Sequence, residues 1–348
     1  MKNSKEKFED MHELHIPEGT ECIDEQFCDQ IELDANFDTN IEKLYIPQTT
    51  YEIDYDYVTS TFENLRRFIV DEENPYFKDV DGILYNKQVT KLLRCPKGYN
   101  ETVTIPETVT EIESDAFSGC RFVNKKIMIP DSVRSIGEYA FSFCGSACGS
   151  TEALESIILP PKLEVIPKGL FRSCFVHEIV IPDSVCEIHE EAFSICGMLK
   201  HIYVQKNNQK YYDIDGVLFD KNGNLLCYPT NKKDCSYAVP ETVKHIAAHA
   251  FESCFGLKEL ILPASIEQID YSAFNKCDAL ESISVHPDNL QYCDVDGVLF
   301  NKSQTELIYF PNRKSGNYIV PATVEELKID AFHNCTELKS LILHRSIK

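Results

Sequence analysis

The stretch Leu257-Lys258-Glu259-Leu260-Ile261-Leu262-Pro263-Ala264-Ser265-Ile266-Glu267-Gln268-Ile269-Asp270-Tyr271-Ser272-Ala273-Phe274-Asn275-Lys276-Cys277 decides the architecture. Leu260 and Leu262 point one way and Glu259 and Ile261 the other, the period-two pattern of a half-buried strand. Pro263 has no N–H to give a ladder, so the strand stops there. Ile266 and Ile269 then return at three-residue intervals. Ala273 supplies a small residue for close approach and Phe274 a ring to fill the interior. One such unit cannot bury this apolar set, whereas stacked copies bury it between neighbours.

Working outward, seven segments repeat the pattern without a slip in spacing. They start at Pro106, Pro130, Pro160, Pro182, Pro240, Pro263 and Pro321 and end at Cys120, Cys144, Cys174, Cys196, Cys254, Cys277 and Cys335. Toward the N-terminus, Pro17 and Pro47 lead degenerate copies with Phe27 and Phe62 out of step. A larger unit overlays the small one: Pro47 to Pro106, Pro182 to Pro240 and Pro263 to Pro321 are 59, 58 and 58 residues apart. Each interval holds an extra coil and a hairpin-like segment that starts at Asp81-Gly82, Asp215-Gly216 or Asp296-Gly297. Asn222-Gly223 is the clearest hairpin turn.

The pattern Leu-x-x-Ile-x-Ile-Pro-x-x-Val-x-x-Ile-x-x-x-Ala-Phe-x-x-Cys resembles the BspA-like subgroup of bacterial leucine-rich repeat proteins, over nearly the whole chain from Leu14 to Leu343. The resemblance implies a β-rich solenoid of the α/β class, with stacked coils, one parallel sheet face and inserted β-hairpins. It also implies adhesion to host or microbial proteins, because members are often secreted or surface-borne. Length alone, 348 residues, would suggest two or three globular domains. End-to-end repetition replaces that expectation with a single domain over residues 14–343, degenerate over 14–100 and regular over 101–343. Residues 1–13 form a lead-in and residues 344–348 a tail.

The chain carries 34 basic against 56 acidic residues, a net charge of -22. Nucleic acids and anionic membranes need clustered Lys and Arg, so neither is an expected partner. No apolar run approaches the roughly 20 residues that span a bilayer, and no signal peptide follows Met1. The chain as it stands is therefore expected in the cytoplasm; a missing leader would make it secreted or surface-borne. It stops just after Leu341-Ile342-Leu343 without a polar cap, which leaves strand edge open and suggests either a truncated gene product or end-to-end self-association.

Three motifs imitate chemistry. Asp213-Ile214-Asp215-Gly216 looks like the nucleophile and acid/base pair of haloacid-dehalogenase-type phosphatases. Its recurrence as Asp79-x-Asp81-Gly82 and Asp294-x-Asp296-Gly297 reads instead as turn chemistry. Asp220-x-Asn222-x-Asn224 starts a calcium loop, but the sixth position is Leu225 and the twelfth Asn231, so the Asp pairs would hold calcium weakly at most. His245-x-x-x-His249 has helical zinc spacing but no third ligand at a matching place. No metal, cofactor or catalytic residue is assigned, and the chain is read as non-catalytic.

Seven of fifteen cysteines occupy the repeat's last position, where side chains of adjacent coils point in parallel. They are expected to form a reduced structural ladder: Cys120, Cys144, Cys174, Cys196, Cys254, Cys277 and Cys335. Cys144-Gly145-Ser146-Ala147-Cys148-Gly149 lies in an insertion and is read as a Gly/Ser loop with one bystander thiol.

With the coils in register, the outward residue of each strand forms a column. Tyr45, Ile69, Met128, Ile158, Val180, Tyr203, Ile261, Ile319 and Ile342 make it far more apolar than a solvated sheet requires; His15, Thr104, Ala238 and Ser284 complete it. Thirteen coils at ~4.8 Å would make it ~60 Å long. Two readings stand: β-branched residues stacking across strands, or a face for an unidentified protein partner. The second makes the protein an interaction or adhesion module, with an intracellular scaffold as the alternative.

Overall fold

The computed structural model describes residues 11–31, 40–123, 125–145 and 154–347. They fall into two compact units, Met1–Val176 with Glu187–Phe193 and His177–Cys186 with Ser194–Lys348. Each unit is a solenoid of stacked coils, and one local grammar builds both.

A coil starts with a strand whose inward residues are fully buried, such as Leu44 or Leu260. At the proline the chain turns, because the Pro carbonyl accepts the N–H of the apolar residue three later. Val109 donates to Pro106 at 3.0 Å, Leu163 to Pro160 at 3.1 Å and Val243 to Pro240 at 3.0 Å. A two-residue strand follows and pairs in parallel with its neighbour, as Ile112 with Ile136 and Ile246 with Ile269. A second turn closes the coil, with Cys254 donating to Phe251 at 3.3 Å.

Neighbouring coils meet at the Ala-Phe pair. In the first unit Phe117 donates its N–H to the Ala140 carbonyl at 2.8 Å, and in the second Phe251 donates to Ala273 at 2.9 Å. The rings then stack: Phe117 on Phe141 at 5.0 Å, and Tyr228 on Phe251 at 5.3 Å. Small residues let the backbones approach while the aromatics bury the largest area per position. The residue before each ladder cysteine has left-handed backbone, including Ile195 at φ 58° and Ser253 at φ 58°. That conformation is costly for a β-branched side chain.

The degenerate coils differ for a physical reason. Their second turn is an α-helix, Glu25–Gln30 and Tyr55–Thr61, with Asp24 and Asp54 accepting the N–H groups of Phe27 and Tyr57 at 2.9 Å. The helical turns put Cys28 and Val58, eleven residues after Pro17 and Pro47, in the buried place that Phe takes elsewhere, so Phe27 falls one residue early and Phe62 four late.

The outward-facing strands are parallel and in register but form short blocks. In the first unit Glu13–His15, Lys43–Ile46 and Arg67–Val70 form one sheet, and Lys126–Met128 pairs with Leu154–Ile158. In the second, residues 178–181 pair with His201–Val204, Glu259–Leu262 lies paired between Ser236–Ala238 and Ser282–Val285, and Gly316–Ile319 pairs with Leu338–Ile342. A hairpin follows Arg67–Val70, His201–Val204 and Ser282–Val285 and takes the place of the next parallel strand. Phe77–Val80, Ile83–Asn86 and Lys91–Arg94 make the first antiparallel insert, and Lys91–Arg94 returns to pair in parallel with Glu111–Ile112.

Candidate partner-binding face

Within each block the column is present. Tyr45 pairs with Ile69, Met128 with Ile158, Val180 with Tyr203, Ile261 with Ser284, and Ile319 with Ile342. Met128 is the most open at 71%, with Ile319 at 66% and Ile342 at 53%. Ile158, Tyr203 and Ile261 are exposed to a lesser degree, and Tyr45, Ile69 and Val180 are half-buried. The expected uninterrupted column is corrected: the hairpins cut the ladder, and Thr104 lies outside any strand. Other exposed apolar residues lie off the column, among them Phe143, Phe255, Tyr271 and Leu290.

The polar neighbours are tied across coils in the first block. Lys43 Nζ lies 2.7 Å from Glu13 Oε1, and that hydrogen bond holds the Glu13 carboxyl below its usual value and the Lys43 ammonium above its own. The pair is open to solvent, so its contribution to stability is small.

The Asp-x-Asp-Gly segments have structural work in all three copies. Asp79, Asp213 and Asp294 accept the N–H of Val70, Val204 and Val285 at 2.9, 2.8 and 2.8 Å. The carbonyls of Gly82, Gly216 and Gly297 accept the N–H of Phe68, Ile202 and Ile283. Together they satisfy donors on a strand edge that would otherwise be open. The second aspartate has left-handed backbone, and Lys232 binds Asp215 at 2.5 Å and Asp234 at 2.9 Å. Burial opposes the Lys232 charge, but these hydrogen bonds outweigh it and raise its pKa, while Lys232 in turn lowers that of Asp215. Asp220 accepts the N–H groups of Asn222 and Asn224, which is turn geometry. His245 meets Asn224 and His249 meets Glu252, so the two histidines serve different partners.

The sequence reading missed one constellation. Asn74, Asn208 and Asn289 are buried, and each side chain bridges two coils. Asn208 Nδ2 donates to the carbonyls of Pro182 and Val185 at 2.8 and 2.9 Å, and its Oδ1 accepts from Lys210 and Tyr211. Asn74 and Asn289 repeat the arrangement. The signal was an Asn five residues before each Asp-x-Asp-Gly.

The ladder cysteines form no disulfide among the described residues. Their thiols face carbonyls of the adjacent coil, Cys120 toward Cys95 at 3.5 Å and Cys277 toward Phe251 at 2.8 Å. Cys254 faces Tyr228 and Cys335 faces Phe310, whereas Cys196 faces the Ser194 carbonyl of its own turn. Cys144 and Cys174 touch, Sγ to Sγ, at 3.2 Å. Burial raises the Cys174 and Cys254 thiols well above their ordinary value, which keeps them neutral and inert. Cys148 lies outside the described residues.

A concavity opens on the column in the first unit. A groove of about 890 Å³ is lined by His15, Tyr45 and Ile69, by Glu18, Asp71 and Glu72 on the turns that follow, and by Lys78, Asp79 and Lys87 of the first hairpin, so charges of both signs face it. The His15 and Tyr45 rings stack at 3.9 Å with planes 9° apart.

Stacked coils with parallel outward strands and inward Leu, Ile and Phe define a leucine-rich repeat solenoid. The model of the BspA type leucine rich repeat region matches in six copies over residues 97–150, 125–225, 227–318 and 306–348. The chain belongs to the BspA-type leucine-rich repeat family. Among solved structures, it is similar to a leucine-rich cell surface protein of Faecalibacterium prausnitzii A2-165, at 25% identity and TM-score 0.62, covering 97% of this chain and 83% of that one. It also matches the pneumococcal vaccine antigen PcpA at 21% identity and TM-score 0.49, covering 98% and 77% of the two chains. A leucine-rich repeat protein of Eubacterium ventriosum matches at 19% and 0.48, covering 95% and 80%. No curated protein matches. No catalytic family is indicated, and among the described residues no helix is long and apolar enough to cross a membrane.

Proposed function

We propose that the protein is a non-catalytic interaction module whose outward column binds a protein partner. The observation that carries this reading is the exposure of Met128 and Ile158 in the first unit and of Tyr203, Ile261, Ile319 and Ile342 in the second. Stacking between strands needs β-branched neighbours but gains nothing from a solvated Met. In each unit apolar outward residues are bordered by polar ones, Lys126 and Ser156 in the first and His201 and Glu259 in the second, which is the composition of a contact surface with Met and Tyr as anchors. The cell surface protein with the same fold supports adhesion as the setting.

The triple variant Met128→Asp, Ile158→Asp, Tyr203→Asp tests the reading. All three side chains are outward, so the variant keeps its circular dichroism and melting profile and loses the partner captured by the intact chain. Capture of the same partner by the folded variant would sink the proposal. A second reading, an intracellular scaffold, is favoured by ladder thiols such as Cys254 and Cys277, which are buried and face main-chain carbonyls of the adjacent coil, a packing that suits a reducing compartment. Protease treatment of intact cells separates the two: a surface adhesin is degraded and a scaffold survives.

A further inference from the structure

The ladder cysteines share one place in the repeat but not one kind of partner. Cys120 turns its sulfur to the Cys95 carbonyl at 3.5 Å, Cys254 to Tyr228 at 3.8 Å and Cys277 to Phe251 at 2.8 Å. Cys144 and Cys174 instead turn to each other, Sγ to Sγ at 3.2 Å, and both side chains are fully buried. Their backbones lie in step: Phe175 donates its N–H to the Cys144 carbonyl at 2.8 Å, and Phe143 donates to Arg172 at 2.9 Å. Adjacent coils at the strand spacing of ~4.8 Å fall inside the Cα separation of roughly 4.4–6.8 Å that a disulfide spans. The sulfurs have only to close to about 2.05 Å, which a small side-chain rotation supplies.

Chemistry separates this rung from the others. Oxidising Cys120 or Cys277 would take an S–H donor from a buried main-chain carbonyl, whereas Cys144 and Cys174 lose only a weak thiol contact. We propose that Cys144 and Cys174 form a disulfide when the chain folds in an oxidising compartment and remain thiols in a reducing one. The oxidant is a small-molecule disulfide of the glutathione class. One thiolate attacks it and displaces a thiol, and the second thiolate attacks the mixed disulfide and displaces the other. One Sγ–Sγ bond forms, two S–H bonds are lost, and the oxidant departs as two thiols with both electrons and both protons. Burial makes the folded pair inert, so the reaction belongs to the folding chain, and the same burial then shields the bridge from reductants. The bridge joins the coils that start at Lys126–Met128 and Leu154–Ile158, whose Met128 and Ile158 stand side by side on the column. Its formation is independent of any partner.

Refolding the full chain from urea in a buffer of oxidised and reduced glutathione, until its circular dichroism matches that of the untreated chain, puts the pair to the test. Alkylation of the remaining thiols and peptide mapping by mass spectrometry then locate any bridge. Cys144 joined to Cys174 is expected, with the loss of that pair from the thiol titration and a higher melting temperature that dithiothreitol reverses. Cys144→Ala or Cys174→Ala should abolish the rise, while Cys148→Ala and Cys254→Ala keep it. Fragmentation of the bridged peptide distinguishes Cys144 from Cys148 in the unaltered chain, so the result does not depend on any variant folding. A refolded chain with every thiol free would overturn the proposal. A bridge in equal yield at Cys254–Cys277, whose sulfurs are as deeply buried on neighbouring coils, would overturn it too, as would one made through Cys148.

Discussion

The insert between Pro47 and Pro106 and the one between Pro263 and Pro321 share a frame and differ in what the frame displays. In both, a buried Asn clamps two coils, an Asp caps the strand edge, and a Gly at positive φ lies against the preceding strand. At the display positions the first has Tyr45, Asp71 and Glu72 and the third Ile261, His286 and Pro287. Repetition constrains the buried positions because each must meet an identical neighbour. It leaves outward positions free to diverge, so function is best sought where the copies disagree.

Stability measurements can break or sharpen that division. The largest effect belongs to the clamp. Asn289→Ala strands main-chain carbonyls and N–H groups in the interior and is expected to cost about 3 kcal/mol by denaturant unfolding. Asn74→Ala should cost the same within error, and a much smaller loss there would mean the copies are not equivalent. Next comes Gly297→Ala, where φ is 77° and an added Cβ would stand 2.8 Å from the Ser282 Cβ. About 2 kcal/mol is expected from strain and overlap, and Gly82→Ala should follow it.

A pH difference separates the copies further. Lys232 holds the Asp215 carboxyl below its ordinary 3.8. A lowered carboxyl contributes stability that is present above that value and lost as pH falls through the folded value. Melting temperature against pH should therefore fall less steeply on the acid side in Lys232→Met. In the first insert the equivalent residue is Tyr99, so Tyr99→Phe should leave the acid limb unchanged. The smallest effect is a gain: Ile195→Gly removes a β-branched residue from left-handed backbone and should add about 1 kcal/mol by the same unfolding measurement.

The solenoid was legible in the sequence because Leu260, Pro263, Ile269, Phe274 and Cys277 each act through near-neighbour geometry that recurs at fixed spacing. The clamp was harder to see. Asn208 acts on carbonyls more than twenty residues away, and a lone Asn in a turn-rich stretch reads as another turn residue. The helices at Glu25–Gln30 and Tyr55–Thr61 were hidden because each is shorter than two helical periods. Nine column residues were named from alternation alone, yet alternation could not show the hairpins cutting the ladder, since strand edges are settled between coils. The groove needed both the stacking of His15 on Tyr45 and the return of the first hairpin, and neither is a matter of spacing.

Hydroxyl-radical footprinting of the chain with and without its captured partner tests the central claim most directly. Met128 and Tyr203 oxidise readily and stand on the column, while Phe143, Phe255 and Tyr271 are comparably exposed off it. The account predicts that the partner protects Met128 and Tyr203 and leaves the other three reactive. Protection of Phe143, Phe255 and Tyr271 with Met128 and Tyr203 still oxidised would contradict it.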